Sequence, residues 1–456
     1  MKKLIYTLIF ILLAALPAAA QRASQAQTPD STQTTKGHMK KTPEWDPSFK
    51  ANGSIIVHYD SYDAHKNKVR LSARVYWHDA EDTKKQILLS CHPTVTSNSE
   101  VPTGSNPIDG DTQLMCSESG DAYLMVCPDY CGYGSSAHLQ HPYLINDITA
   151  RNCLDALLPA ITAARANGVV FQNNPNGNGS DRYELNIVGY SQGGATALAC
   201  AKLIDGDACP DEIRKYFSLR QTCCGDGPYS IKQTLETYRD WGDPMRPDGG
   251  LDLSYPSVLP LIVMAAKEAY NDGCMRTVEI KDFFSQEFLD TGILGDLKSK
   301  DLTTSQLNTK IYQAMPRRRA VDILSRNIIH ADGTFNTTTK EYKCFNRAME
   351  LAELCTGWTP KHPITFFHLP NDDVVPYTNV SKGIFGPNGI GTTCKGKVSM
   401  PNIDDVWSDV DGPVVIGNNM DNPDWDTMVH DVGGEYFYVS YMFGYTLREK
   451  DHWYQW

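Results

Sequence analysis

Apolar and polar positions along this chain fall into distinct regimes. Leu4 to Leu16 form an almost unbroken apolar run behind Lys2 and Lys3. Residues 21–48 are rich in Gln, Thr, Ser and Lys with almost nothing to bury, which predicts a disordered linker. From residue 49 onward, short apolar runs alternate with stretches of helical spacing. Ile55–Tyr62 and Val69–Trp77 read as two antiparallel opening strands. Ile87–Ser90, Tyr123–Cys127, Leu185–Tyr190, Phe217–Cys224 and Ile364–Leu369 are short runs apolar enough to be strands buried on both faces, and Pro413–Ile416 reads as the last of them. Ile145–Ala166 carries apolar residues at helical spacing. Strands alternating with helices predict an α/β fold: a mostly parallel central sheet of about eight strands with helices on both faces.

One segment breaks the alternation. Residues 229–362 have helical patterning and no convincing buried strand, so they read as an insertion capping the carboxyl edge of the sheet within a catalytic domain of residues 49–456. Within it, Ala265–Ala269 and Phe283–Leu289 either pack as core or wall an acyl pocket.

The leader changes the picture of where the protein works. A charged start, an apolar run and the small residues Ala18, Ala19 and Ala20 before Gln21 make residues 1–20 a cleavable signal peptide, too short for a stable membrane span. A secreted or periplasmic bacterial protein is expected. The formal net charge of -12 becomes -14 once Lys2 and Lys3 leave with the leader. Such an acidic chain repels phosphate backbones, so nucleic acid is not an expected partner, and Arg317 to Arg319 read as a solvated helix end. Secretion permits disulfides, and the odd count of 13 cysteines leaves at least one thiol unpaired if all bridges are internal. Cys91, Cys127 and Cys200 sit in apolar contexts and read as small core residues. Cys127 and Cys131 lack the further ligands that would complete a zinc pattern, so no metal is expected.

The candidate chemistry centres on Gly189-Tyr190-Ser191-Gln192-Gly193. A strand runs directly into this G-x-S-x-G and small residues open a helix after it, the arrangement that strains a serine backbone and lifts its hydroxyl above a sheet. A serine hydroxyl needs a histidine base, and the histidine needs a carboxylate to orient it. The strand Ile364–Leu369 runs into Pro370-Asn371-Asp372-Asp373-Val374-Val375-Pro376, where Asp372 is the expected acid and Asp373, otherwise a solvated loop residue, the reserve. Only His430 and His452 follow Asp372, and His430, just before a helical and aromatic run, is the expected base. An oxyanion needs backbone donors, here expected from Gln192 and from Thr94 in the loop after the third strand, since Pro93 has no N–H. His92 is expected to shape that loop.

With these residues in hand, the chain resembles the α/β-hydrolases, and among them the secreted lipase/esterase-type serine hydrolases. Gly189-Tyr190-Ser191-Gln192-Gly193-Gly194 matches the G-[HY]-S-Q-G-G elbow of those enzymes, Pro128-Asp129-Tyr130-Cys131-Gly132-Tyr133-Gly134 the P-D-Y-x-G-x-G turn, His141-Pro142-Tyr143 the motif that follows it in secretory lipases, and Asp372-Asp373-Val374-Val375-Pro376 the D-x-V-V-P acid loop. The last match favours Asp372 over Asp373. The loop His92-Pro93-Thr94 departs from the usual H-G-T. The 181 positions from Ser191 to Asp372 fit a large cap, and the 58 from Asp372 to His430 imply an extra loop within Gly383–Asn418. The resemblance implies the α/β-hydrolase fold, no metal or organic cofactor, and a serine esterase that forms an acyl-enzyme on a small-molecule or lipid ester. A serine peptidase on the same fold is the alternative. It would need cap carboxylates to hold a substrate amino group, and Glu268, Glu279, Glu287, Asp290 and Glu353 are available in sequence. A catalytically silent binding protein is a third reading, opposed by the intact Ser, Asp, His order.

Overall fold

In the computed structural model, residues 53–78, 84–107, 122–175, 181–239, 253–270, 273–315, 319–400 and 430–437 are described. The leader, the linker, Pro413–Ile416 and His452 lie outside them.

Among the described residues, eight strands form one sheet: β1 (Gly53–Tyr62), β2 (Lys68–Trp77), β3 (Gln86–Cys91), β4 (Tyr123–Pro128), β5 (Tyr183–Tyr190), β6 (Phe217–Gly225), β7 (Ile364–Phe367) and β8 (Val398–Ser399). Their spatial order is β1-β2-β4-β3-β5-β6-β7-β8. β2 runs antiparallel to both its neighbours, and every pairing from β4 to β8 is parallel. The mostly parallel sheet expected from the alternation is therefore present. The patterning follows position: β3 and β4, inside the sheet, are buried at every residue, whereas edge strand β1 alternates buried and exposed positions.

Helices α1 (Asn146–Asp155), α2 (Leu157–Ala166), α3 (Gln192–Asp205) and α4 (Asp211–Tyr216) follow β4 and β5. The single helix anticipated over Ile145–Ala166 is divided at Ala156. Pro159 has no N–H to give the Asp155 carbonyl, and its ring crowds that carbonyl, so the ladder cannot run through. The last strand of the sheet, β8, is only two residues long and pairs with Ile364 and Thr365, too short to register as a sequence pattern.

Between β6 and β7 lie α5 (Ile231–Tyr238), α6 (Val258–Ala269), α7 (Gln286–Asp290), α8 (Ile293–Ser299), α9 (Thr304–Ala314) and α10 (Lys340–Leu351), with no strand among the described residues there. After β7 come α11 (Ile390–Thr393) and α12 (His430–Tyr436). The inserted helices share an apolar interior: every residue from Val258 to Ala266 is buried, and Phe283 meets Phe345 of α10 edge-on at 6.1 Å. Phe284 and Phe288 pack together at 5.2 Å. In the two apolar stretches noted in the sequence, Ala265, Ala266, Phe283, Phe284 and Phe288 are buried. A disulfide joins Cys274 to Cys344.

Two buried charges fasten this insertion to the sheet domain. Lys300, between α8 and α9, donates through Nζ to the carbonyls of Gly132 (2.5 Å), Ala137 (2.8 Å) and Leu139 (2.5 Å). Glu100, in the loop after β3, accepts from the Thr304 N–H at 3.0 Å and hydroxyl at 3.1 Å, capping the start of α9. The same carboxylate takes the N–H groups of Thr96 at 3.3 Å and Ser97 at 3.2 Å.

Candidate active site

The turn from β5 to α3 is tight because backbones on three sides touch it. A Cβ on Gly189 would stand 2.1 Å from the Gly193 carbonyl oxygen, and one on Gly193 would stand 1.9 Å from that of Cys91. Ser191 between them has φ 59° and ψ -125°, a conformation costly for a residue with a side chain. Its N–H donates to the Gly225 carbonyl at 2.9 Å, which ties the turn to the end of β6. Gln192 is the first residue of α3, so its N–H has no partner in the helix ladder. This is the strand–turn–helix geometry anticipated from the glycine spacing.

The acid and base candidates converge from opposite sides of a long connection. The Nδ1 of His430 lies 2.6 Å from Oδ2 of Asp372, with both residues buried. The other Asp372 oxygen accepts from the N–H groups of Val374 at 2.7 Å and Val375 at 2.6 Å, which fixes the carboxylate plane. Asp373 is not the solvated loop residue of the plain sequence reading. It is 8% exposed, accepts the His430 backbone N–H at 2.9 Å and also takes a hydrogen bond from the Ser254 hydroxyl. Asp372 therefore holds the ring of His430 and Asp373 holds its backbone. Burial pulls the His430 pKa down, but the Asp372 charge and hydrogen bond, with further push from Asp226 and Asp431, carry it up to about 9. Burial raises the Asp372 carboxyl, against the lowering effect of His430. The ring of Tyr190, the residue before Ser191, sits 5.0 Å from that of His430.

The expected oxyanion residues are linked by a motif to which the sequence assigned no role. His141 accepts at Nε2 from the Gln192 side-chain amide at 2.7 Å and donates through Nδ1 to the Cys131 carbonyl at 2.8 Å. Tyr143 bonds the Thr94 hydroxyl at 2.9 Å. The His-Pro-Tyr motif thus grips both Gln192 and the Thr94 loop, and burial holds His141 neutral with a pKa of about 3. Thr94 follows Cys91, whose strand lies in register with Gly189, so its loop leaves the sheet beside the elbow. His92 stacks on Tyr130 at 3.9 Å and turns Nδ1 to the Pro93 carbonyl at 2.7 Å, in keeping with a loop-shaping part. Asp129 of the P-D-Y turn accepts from the Ser72 hydroxyl at 2.5 Å and the Thr103 N–H at 2.9 Å, and burial raises its pKa to about 6.

Two further residues near the site had no sequence signal: Asp226 just past β6 and His368 just past β7. Asp226, Asp372 and His430 present polar atoms that all lie within 4.8 Å of one another. The direct bond between His430 and Asp372 satisfies that pair internally. A second cluster, Cys91, Cys153 and Cys200, has its sulfurs within 4.8 Å of one another and is fully buried.

No family model matches the sequence, and no curated protein matches it. Solved structures do. The esterase LipA from Xanthomonas oryzae, described as degrading the rice cell wall, superposes with a TM-score of 0.64 at 17% identity, covering 86% of this chain and 89% of its own. A protein of Legionella pneumophila superposes with a TM-score of 0.61 at 15% identity, covering 86% of this chain and 87% of its own. At such identities the likeness is one of backbone. Taken with the strand order, it gives this chain the α/β-hydrolase fold.

Proposed function

We propose that the protein is a secreted serine hydrolase of carboxylic esters, with Ser191 as nucleophile, His430 as base and Asp372 as the orienting acid. The observation that carries this reading is the 2.6 Å bond between His430 Nδ1 and Asp372, with the His430 ring 5.0 Å from that of Tyr190, which directly precedes a serine at φ 59°. With Nδ1–H donating to the carboxylate, Nε2 is the basic nitrogen. It takes the Ser191 proton as Oγ attacks the ester carbonyl, and the backbone N–H groups of Gln192 and Thr94 receive the oxyanion. Collapse of the tetrahedral intermediate expels the alcohol, protonated by His430. A water deprotonated by His430 then cleaves the acyl-enzyme and frees the acid. The signal-peptide pattern of residues 1–20 supports export. Among the described residues no helix is long and apolar enough to cross a membrane.

The peptidase alternative finds less support. Of the cap carboxylates that could hold an amino group, Glu268 pairs with His65 at 3.1 Å, Glu353 takes the Ser230 hydroxyl at 2.7 Å, and Asp290 takes the Gln286 amide at 2.7 Å. Glu279 closes a capping box with Asp282, and Glu287 sits on the exposed face of α7. The deciding assay sets p-nitrophenyl acyl esters of several lengths against aminoacyl and dipeptidyl p-nitroanilides on the purified mature chain. Ester cleavage with a preferred acyl length and no anilide cleavage is expected. Efficient anilide cleavage would make the protein a peptidase, and failure of a serine-directed phosphonate to label it would make it a silent scaffold.

A further inference from the structure

Asp226 is a fully buried carboxylate for which the triad has no use. It follows the last residue of β6 and holds φ at 37°, an unfavourable value for a residue with a side chain. Strain and burial together mark a position held by its surroundings. The carboxylate accepts the Leu369 N–H at 2.7 Å, which ends β7 by turning that N–H from the sheet to a side chain. It also accepts the Tyr190 hydroxyl at 2.5 Å and faces His368 Nδ1 at 2.9 Å. These donors satisfy the carboxylate in an apolar interior. Tyr190 Oη lies in turn 2.7 Å from the His430 carbonyl. One phenol thus spans Asp226 and the backbone of the proposed base.

We propose that Asp226 is a second positioning carboxylate for His430, acting beside Asp372 through the charge it presents within 4.8 Å and through the Tyr190 hydroxyl, whose one proton is shared between Asp226 and the His430 carbonyl. This rests on the reading of His430 as the base. The groups facing His430 are Asp372 and Asp373 from the loop after β7, Asp226 from β6, Tyr190 from β5, Tyr255 at 6.2 Å from the segment before α6, and Asp431 on its own helix. Asp372 alone bonds the ring nitrogen. When His430 takes the Ser191 proton, the new imidazolium is flanked by two buried carboxylates in place of one, so the charge-separated state is lowered and the base titrates at higher pH.

The test is the pH profile of kcat/KM for a p-nitrophenyl ester, measured on the mature chain and on Asp226→Asn, Tyr190→Phe and Ser191→Ala. Asp226→Asn should move the acid limb toward acid by roughly one to two pH units. Tyr190→Phe keeps the charge and should leave the limb in place while lowering kcat by about tenfold. A folded Asp226→Asn chain with the parent limb would overturn the proposal. If Asp226→Asn does not fold, 15N NMR titration of His430 in Asp372→Asn decides: a pKa still above the ordinary value of about 6.5 supports a second carboxylate, and one at or below it removes the idea. Ser191→Ala separates the two levels. Retained turnover there sinks the triad itself, whereas a dead Ser191→Ala with an unmoved Asp226→Asn limb sinks only the part given to Asp226.

Discussion

His430 is held at two points by two consecutive residues: Asp372 bonds its ring Nδ1 at 2.6 Å and Asp373 bonds its backbone N–H at 2.9 Å. One carboxylate sets the tautomer and tilt of the imidazole, and the other fixes where α12 begins. Neither stands in for its neighbour, because the Asp372 carboxylate faces the ring and that of Asp373 the backbone N–H.

Replacing Ser191 with alanine should abolish ester turnover and leave the fold intact. Its N–H bond to Gly225 and the glycine contacts of the turn are backbone features that survive the substitution. Unchanged circular dichroism with no measurable p-nitrophenol release is the expected result. Retained activity would mean another nucleophile.

Asp372→Asn should cost far more than Asp373→Asn. Loss of the orienting charge in a Ser-His-Asp arrangement lowers kcat by about 10⁴-fold, whereas misplacing the base by loosening its backbone costs roughly tenfold to a hundredfold. Rates of the two variants on one ester settle the order, and the reverse ranking would exchange the two roles.

The pH dependence should be displaced from that of an ordinary histidine. Burial opposes charge on His430, but Asp372, Asp226 and Asp431 raise its pKa from 6.5 to about 9. The base works when neutral, so kcat/KM should climb with pH well above 6.5 and toward 9, not level off near 6 as an unperturbed imidazole would. Stability follows with the opposite sense. The folded-state pKa lies above the unfolded one, so the contribution of protonated His430 is complete below pH 6.5 and lost as pH rises through 9. Thermal melting across that range, compared with His430→Gln, isolates the effect. A limb at pH 6 would show that the two carboxylates do not act on the ring as their distances imply.

Lys300→Met should loosen the helices inserted between β6 and β7. It strips donors from the carbonyls of Gly132, Ala137 and Leu139 while keeping a chain of similar length. A loss of about 2–3 kcal/mol in denaturant unfolding is expected, since charge-assisted bonds to buried acceptors are among the stronger ones. Proteolysis of the native chain should cut first between α7 and α9 in the variant. Unaltered stability would mean that water replaces the ammonium.

Much of the candidate site was legible in sequence because the patterns that mark it are local. The Gly189-Tyr190-Ser191-Gln192-Gly193 spacing encodes the elbow, since a Cβ at Gly189 or Gly193 would strike neighbouring carbonyls. Asp372 and His430 could be picked by chain order and by the rarity of histidines after residue 372. The division at Pro159 was legible too but was outweighed by the apolar spacing around it. The two-residue strand β8 carries no pattern at all.

What the linear chain determined by itself was periodicity, turn chemistry and the inventory of reactive side chains, because these depend on neighbours a few residues apart. Only the tertiary structure decided which distant groups share a dielectric environment. Asp226 and His368 lie 142 residues apart and meet at 2.9 Å because β6 and β7 are adjacent in the sheet. His141 reaches Gln192 across 51 residues, and Lys300 reaches Gly132 across 168. Such pairings follow from strand order and from the need to satisfy every polar group taken out of water, and no local spacing encodes them.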